Sequence, residues 1–216
     1  CLFFSIFGKY FHMERRVIID NQHLQITIDR LCQQLIENHD DFENTVILGM
    51  QPRGIYLAER ICSNLKRILN KEIKLGYLDT TFFRDDFRQK EVPLKANATK
   101  VPFLIEDQKV ILVDDVLFTG RTVRAALDAI TAFGRPSKVE LLVLVDRKYS
   151  RDLPIQPNYI GTEVNCMESE KVWVELKEQE GKQDVIWLIT KNKKAIPSKK
   201  GIRVPEKNVS KFLNKF

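Results

Sequence analysis

The segment from Lys109 to Thr122, KVILVDDVLFTGRT, joins a strand, two acids and the start of a helix. The run Lys109–Val113 is the most strand-like in the chain and is apolar after its first residue, as in a parallel strand buried on both faces. Side chains alternate faces along a strand, so Asp114 and Asp115 are tolerated only if the strand ends there and both leave the core. We therefore expect both acids to face a ligand crevice at the strand's carboxyl end.

The residues that follow the acids have the composition of an anion site. The turn Thr119–Thr122, with the sequence TGRT, opens a helix. Free N–H groups and the positive end of the dipole bind anions at a helix start, and Gly120 permits close backbone approach. The carboxylates of Asp114 and Asp115 can bind sugar hydroxyls, and the adjacent Thr119–Thr122 turn can bind a phosphate. Together they indicate a ribose 5-phosphate site. A Walker A pattern is absent, and the alternative interpretation is an acidic strand end followed by a threonine-capped helix.

The flanking segments repeat the strand-and-helix pattern. Apolar residues at helical spacing predict helices at about 21–36, 55–69 and 123–133. Apolar runs predict strands at 45–49, 73–78, 109–113 and 138–145. This alternation predicts an α/β fold, a parallel sheet flanked by helices. Residues 84–107 lack periodicity and are predicted to form a long loop that can include a small hairpin, of the kind that acts as a lid or mobile segment.

Composition limits the class of protein. The chain has 216 residues, 44% of them hydrophobic and 30% charged, which is typical of one globular domain and excludes a fibrous or disordered protein. No apolar run approaches the roughly 18 residues that a membrane span needs, so no membrane partner is expected. The four cysteines form no C-x-x-C pair and make no zinc-ligand spacing with the three histidines. They are interpreted as reduced thiols of a cytoplasmic protein.

The net charge of +6 is concentrated at one end. Residues 189–216 hold nine cations and one acid, a net +8, which leaves −2 on the rest. This basic C-terminal tail can contact a polyanion such as RNA, and the alternative is a solvated extension. Residues 1–12 are interpreted as a non-native or upstream extension, with Met13 as the natural start. The remaining segment, 13–188, is predicted to be the functional domain.

The segment Val110–Thr122 resembles the phosphoribosyl pyrophosphate (PRPP) signature of type I phosphoribosyltransferases. Further motifs resemble one branch, the bifunctional pyrimidine-operon attenuator and uracil phosphoribosyltransferase family. These motifs are Gly49–Ala58 (GMQPRGIYLA), Leu78–Asp86 (LDTTFFRDD), Arg121–Asp128 (RTVRAALD), Leu144–Arg147 (LVDR) and Ser169–Val172 (SEKV). The resemblance extends from about Met13 to Leu188. It departs in the tail and at residues 165–168 (NCME), where the family usually has a Pro-Thr-like turn.

The resemblance implies a type I phosphoribosyltransferase fold with a small hood subdomain, about 146–178, and a flexible loop. Asp114 and Asp115 are expected to hold the ribose hydroxyls and to contact Mg²⁺ indirectly, with Arg53 as the third catalytic residue. The implied binding residues are Val116, Leu117, Phe118, Thr119, Gly120, Arg121 and Thr122 for PRPP and its 5-phosphate, Met50, Gln51, Pro52, Arg53 and Gly54 for pyrophosphate, Arg84, Asp85 and Asp86 in the flexible loop, and Arg147, Lys171 and Val172 for the base. On the residues alone, Arg53 is also explained as a helix-start cation beside a Pro52 turn. Residues 84–86 are also explained as surface salt-bridge partners.

The implied reaction converts uracil and PRPP to UMP and pyrophosphate, with Mg²⁺ as cofactor and no protein nucleophile. The implied partners are PRPP, uracil, UMP, a pyrimidine-operon leader RNA and further copies of the chain in a homodimer or larger homo-oligomer. Two alternatives remain. One is an RNA-binding attenuation regulator with residual catalysis, although the −2 charge of residues 1–188 argues against a basic face there. The other is a purine (hypoxanthine/guanine) phosphoribosyltransferase, because the phosphate machinery is shared.

Overall fold

The computed structural model describes residues 11–85, 97–167, 169–180 and 183–193. The main body of the described chain is Glu14–Thr190. The elements are β1 (Phe11–Ile19), α1 (Asn21–His39), β2 (Thr45–Met50), α2 (Gly54–Leu69), β3 (Lys74–Leu78), β4 (Lys109–Leu117), α3 (Arg121–Ile130), β5 (Lys138–Lys148), β6 (Tyr159–Asn165), β7 (Glu170–Glu175), α4 (Lys177–Glu180) and β8 (Val185–Lys193). Residues 1–10 and 194–216, which include most of the predicted extension and tail, lie outside the described residues.

A five-stranded parallel sheet in the order β3-β2-β4-β5-β6 forms the centre of the main body. Every residue of β2 is buried, and so are Val110–Val113 of β4, as expected for strands covered on both faces. The chain runs from β2 outward to β3 and then returns to β4 on the other side of β2. This reversal creates a crevice between the carboxyl ends of β2 and β4, the usual place for a ligand in an open α/β sheet.

Helices cover both faces of the sheet. The Asp20 side chain caps α1 by accepting a hydrogen bond from the His23 N–H at 2.9 Å. One apolar cluster contains the buried faces of α1 and α2, and a second contains that of α3. These contacts confirm the predicted α/β fold class. Helix α3 ends at Ile130 and continues as a 3₁₀ turn over Thr131–Phe133, so the predicted third helix is shorter than expected.

Strands β7 and β8 are antiparallel and, with β1, form a three-stranded sheet in the order β1-β8-β7. The sequence patterns did not predict these strands. Strand β8 continues to Lys193, five residues past the predicted end of the domain at 188, and β1 begins two residues before Met13. Val172, Val174, Ile186 and Leu188 from β7 and β8 join the same apolar cluster as α1 and α2.

Strand β4 does not end at the two acids, which corrects the prediction. It continues to Leu117 because β5 extends alongside it, pairing Asp114 with Val143 and Leu117 with Asp146. In the predicted loop, Lys100 forms an isolated antiparallel bridge with Tyr77, and the described residues 97–107 contain no strand. Residues 86–96 lie outside the described ranges.

A buried polar cluster lies at the amino ends of β2, β5 and β6 and at the end of α1. His39 Nε2 is 2.7 Å from Glu140 Oε2, and its Nδ1 is 3.1 Å from Thr45 Oγ1. Tyr159 donates to the same Glu140 oxygen at 3.1 Å, and Lys138 Nζ lies 2.5 Å from the other. Burial lowers the pKa of His39, despite the nearby Glu140 carboxylate. Neutral His39, donating to Glu140 and accepting from Thr45, satisfies both ring nitrogens.

Candidate active site

Two neighbouring cavities open at the carboxyl ends of β2, β3 and β4. The first, about 310 Å³, is lined by Gln51, Pro52, Arg53, Thr80, Thr81, Arg84, Asn97, Asp114, Asp115, Val116 and Thr122. The second, about 200 Å³, is lined by Arg84, Asp114, Val116, Leu117, Phe118, Thr119, Gly120, Thr122 and Val123. The two share Arg84, Asp114, Val116 and Thr122 and therefore form one cleft. The crevice expected between β2 and β4 is this cleft.

The two predicted acids both line the first cavity. Asp115 is buried and Asp114 partly so, and the Asp115 N–H donates to Asp114 Oδ1 at 2.9 Å. Burial and the adjacent charge of Asp115 raise the pKa of the Asp114 carboxyl well above its usual range. A cation or a hydrogen-bond donor in the cleft offsets both the burial and the charge repulsion, because it stabilises the ionised carboxylates. The pair is therefore suited to bind hydroxyl groups and a metal-bound diphosphate.

Arg53 is held toward the acids by three contacts. Its Nε donates to Asp115 Oδ2 at 2.9 Å, and an Nη donates to the carbonyl of Val174 in β7. Its guanidinium also lies 4.3 Å from the ring centroid of Trp173. Arg53 therefore links the loop after β2 to the acid pair and to β7, and it also lines the first cavity.

The loop after β2 enters α2 through a close approach to β4. A Cβ atom at Gly54 would lie 2.4 Å from the carbonyl oxygen of Val113 and 3.0 Å from the Asp114 Cα. Glycine is thus required for α2 to begin beside the acids. Of the predicted pyrophosphate residues, Gln51, Pro52 and Arg53 line the cleft, whereas Met50 is buried in the core.

The predicted phosphate turn has the conformation of a helix start. Gly120 precedes α3 with φ of 90°, in the left-handed region that favours glycine. Residues Val116–Gly120 and Thr122 line the second cavity. The Arg121 side chain turns elsewhere and pairs with Asp85 at 2.6 Å and with Asp152 at 3.0 Å. Six of the seven predicted phosphate residues therefore face one cavity.

The described start of the predicted flexible loop lies over the cleft. Arg84 lines both cavities and donates to Thr122 Oγ1 at 3.1 Å. Asp85 pairs with Arg121 and, at 3.4 Å, with Arg124 of α3. Asp86 lies outside the described residues. The loop start thus contacts the phosphate turn and α3, and Arg84 lines the same two cavities as Asp114.

Sequence reasoning missed Asp79 and its neighbours Thr80, Thr81 and Asn97. Asp79 is buried, and its carboxylate accepts from the Thr81 N–H at 3.1 Å, the Thr81 hydroxyl at 2.6 Å and the Asn97 N–H at 2.8 Å. It thereby joins Thr81, just before the predicted loop, to Asn97 within it. The signal was present, because Asp79 directly follows β3 and polar residues at carboxyl strand ends face the crevice.

The three predicted base residues all fall within the predicted hood segment, and none of them is among the described cleft-lining residues. Arg147 is buried, donates to the carbonyl of Glu170 at 3.0 Å and lies 4.0 Å from the ring centroid of Phe118. Lys171 is exposed, with Nζ 4.6 Å from the Trp173 ring centroid. Val172 is buried and pairs with Leu188. Arg147 reaches the phosphate turn through Phe118, and Lys171 reaches Arg53 through Trp173.

The described residues also bear on a resident metal ion and on membrane contact. In those ranges there is no group of three or more His, Cys, Asp or Glu side chains that could hold a metal ion. None of the helices found in those ranges is long and apolar enough to cross a membrane.

Comparison with known proteins agrees with the geometry. Residues 17–180 match the model of the phosphoribosyl transferase domain. A bifunctional protein PyrR from Desulfosudis oleivorans is 45% identical over 175 residues, covering 81% of this chain and 97% of that protein. The PyrR from Bacillus subtilis is 44% identical, covering 76% and 92%.

Solved structures share the fold at low identity. A hypoxanthine phosphoribosyltransferase from Staphylococcus aureus superimposes with a TM-score of 0.58 at 18% identity, covering 79% of this chain and 90% of that one. The enzyme from Trypanosoma cruzi has a TM-score of 0.61 at 12% identity, covering 82% and 97%. The matches along the chain confirm the resemblance found in the sequence: the protein is a phosphoribosyltransferase and belongs to the family of bifunctional PyrR proteins.

Proposed function

We propose that the protein transfers the phosphoribosyl group of PRPP to uracil, releasing pyrophosphate and forming UMP. The observation that carries this proposal is one continuous cleft in which Asp114 and Asp115 lie between the phosphate turn and Arg53. A ribose bound at the acids can then extend its 5-phosphate one way and its diphosphate the other. The choice of uracil rests on the resemblance to the pyrimidine-operon family and on the 45% identity to a PyrR protein.

The 5-phosphate belongs at the start of α3. The turn supplies N–H donors and the positive end of the helix dipole, and the Thr122 hydroxyl adds a further donor. Asp114 and Asp115 accept hydrogen bonds from the ribose hydroxyls and stabilise the positive charge that develops at C1. Binding energy from the remote phosphate is used to orient the reacting centre. The protein forms no covalent intermediate in this mechanism.

Arg53 neutralises the departing pyrophosphate at the other end of the cleft. A guanidinium binds diphosphate oxygens through parallel hydrogen bonds, and Arg53 is already fixed beside Asp115 at 2.9 Å. The residues present fit Mg²⁺ held jointly by protein and substrate, because Mg²⁺ is commonly bound by one or two carboxylates plus substrate phosphates. Asp114 and Asp115 would hold it, directly or through water. When bound, the ion supplies charge neutralisation for the diphosphate.

The base assignment is tested by measuring pyrophosphate release from PRPP and Mg²⁺ with uracil, orotate, hypoxanthine and guanine as separate acceptors. We expect release with uracil and background release with the other three. Release with hypoxanthine or guanine instead contradicts the uracil assignment and supports the purine alternative. In that case the roles assigned to Arg147, Lys171 and Val172 are wrong.

A second activity is proposed from the relatives, which are named bifunctional. We propose that the protein, as a homodimer or larger homo-oligomer, also binds the leader RNA of pyrimidine genes when UMP occupies the cleft. Its affinity for leader RNA should rise with UMP and should exceed that for a scrambled RNA at the same salt concentration. Weak, UMP-independent and sequence-blind binding that falls steeply with salt contradicts this proposal.

A further inference from the structure

Arg151, in the segment between β5 and β6, binds the backbone of the phosphate turn from behind. Its Nη1 donates to the carbonyls of Leu117, at 3.3 Å, and of Phe118. The same guanidinium also donates to the carbonyl of Ile155 at 3.1 Å, to that of Arg147 at 3.3 Å and to the carboxylate of Asp146. One side chain therefore joins the ends of β4 and β5 and the loop that leads to β6.

The residues after Arg151 continue this support. The N–H groups of Asp152 and Leu153 both donate to the carbonyl of Thr119, at 3.0 and 3.2 Å. A Cβ atom at Gly120 would lie 3.2 Å from Ile155 Cδ1 and 3.5 Å from Leu153 Cβ. The turn therefore lies directly against the segment 151–155.

This arrangement fixes the direction in which the turn presents its N–H groups. In a trans peptide unit the carbonyl of one residue points opposite to the N–H of the next. The carbonyls of residues 117, 118 and 119 all point to the segment 151–155, so the N–H groups of Phe118, Thr119 and Gly120 point away from it. These residues line the second cavity.

We infer that Arg151 is a positioning residue that aligns the N–H donors of Phe118, Thr119 and Gly120 toward the 5-phosphate; this rests on the proposed placement of that phosphate. Arg151 is not among the described residues that line the cleft and thus acts through the backbone. Arginine is required because its planar guanidinium has several N–H donors and can bind several carbonyls at once. Lysine keeps the charge but cannot hold two adjacent carbonyls and three further acceptors in the same geometry.

The test compares two anionic fragments of the substrate on the full chain. Ribose 5-phosphate and pyrophosphate with Mg²⁺ are titrated separately by calorimetry into wild type, Arg151→Lys and the control Arg67→Lys. Arg67 is an exposed arginine in the last turn of α2. Because two or three donors become misaligned, we expect Arg151→Lys to weaken ribose 5-phosphate binding by about 10- to 100-fold. Pyrophosphate binding should change by less than about twofold, and the control should match wild type.

Three results overturn the inference. Unchanged ribose 5-phosphate binding by folded Arg151→Lys refutes the positioning role and leaves the proposed function intact. Equal losses for both fragments show a general structural role. A wild-type protein that binds pyrophosphate but not ribose 5-phosphate refutes the phosphate assignment itself.

A second measurement needs no variant. Amide NMR of the wild-type protein should show the N–H signals of residues 118–120 shifting on addition of ribose 5-phosphate and not on addition of pyrophosphate. The same signals remaining unmoved at saturating ribose 5-phosphate overturns the inference, even if Arg151→Lys does not fold.

Discussion

Replacing Gly54 by alanine tests whether the start of α2 must lie directly against the acid pair. The new Cβ would be 2.4 Å from the Val113 carbonyl oxygen and 3.0 Å from the Asp114 Cα, whereas ordinary contacts begin near 3.4 Å. Both neighbours are backbone atoms, so no side-chain rotation can relieve the overlap. The first turn of α2 must therefore move by about 1 Å relative to β4.

This displacement has two consequences of different size. Overpacking of this kind usually costs about 1 to 3 kcal/mol in the free energy of unfolding. Arg53 precedes Gly54 and binds Asp115 at 2.9 Å, so the same movement separates Arg53 from the acids. A misplacement of about 1 Å in catalytic geometry can cost about 100-fold in rate. We expect Gly54→Ala to lower kcat/KM for PRPP by about 100-fold at a temperature where the variant is folded.

Gly161→Ala is a matched control. Its Cβ would also lie 2.4 Å from a backbone carbonyl oxygen, that of Leu144, but Gly161 is in β6 and is not among the described cleft-lining residues. It should lose similar stability in thermal unfolding, while kcat/KM for PRPP changes by less than about threefold. Wild-type kcat/KM in Gly54→Ala, or equal losses in the two variants, refutes the reasoning.

Three further outcomes follow from the same structure. The double variant Asp114→Asn with Asp115→Asn should lower pyrophosphate release by about 10³-fold or more and still fold; near-normal turnover contradicts the assignment. Asp79→Ala removes the acceptor shared by Thr81 and Asn97 and should raise KM for PRPP by about tenfold, and an unchanged KM in steady-state assays contradicts the role of Asp79 in holding the loop. Burial lowers the pKa of His39, so the unfolded state binds more protons than the folded state just below pH 6.5. As the pH is lowered from 6.5, the free energy of unfolding of the wild type should therefore decrease, by at most about 1.4 kcal/mol per pH unit from this group. His39→Gln should lose that slope between pH 6.5 and 5.5 in urea unfolding, and identical slopes for the two proteins exclude the mechanism.

The strand-helix units of the parallel sheet were predictable from the sequence because their burial is continuous. Strands such as Thr45–Met50 are apolar throughout, and α2 repeats buried residues at helical spacing. The acid pair was predictable because charged side chains in an otherwise apolar strand need a polar partner or a cleft, and Arg53 and the first cavity supply both. The same argument gave the wrong end for β4, because β5 continues to pair with it as far as Leu117.

The hood and the segment 151–155 were not predictable from periodicity. Strand β7 has only six residues, and three of them, Glu170, Lys171 and Glu175, are charged. The contacts of Arg151 are with backbone carbonyls from three segments, and nothing in its local sequence distinguishes it from a surface arginine. Only the tertiary fold brings these groups together.

The central claim is that one cleft binds a nucleotide with its ribose on the acids and its phosphate on the turn before α3. A crystal structure with UMP tests this directly. We expect the phosphate to accept hydrogen bonds from the N–H groups of residues 118–122, with the ribose hydroxyls on Asp114 and Asp115. A phosphate bound instead in the loop around Arg53, or a ribose away from both acids, contradicts the account.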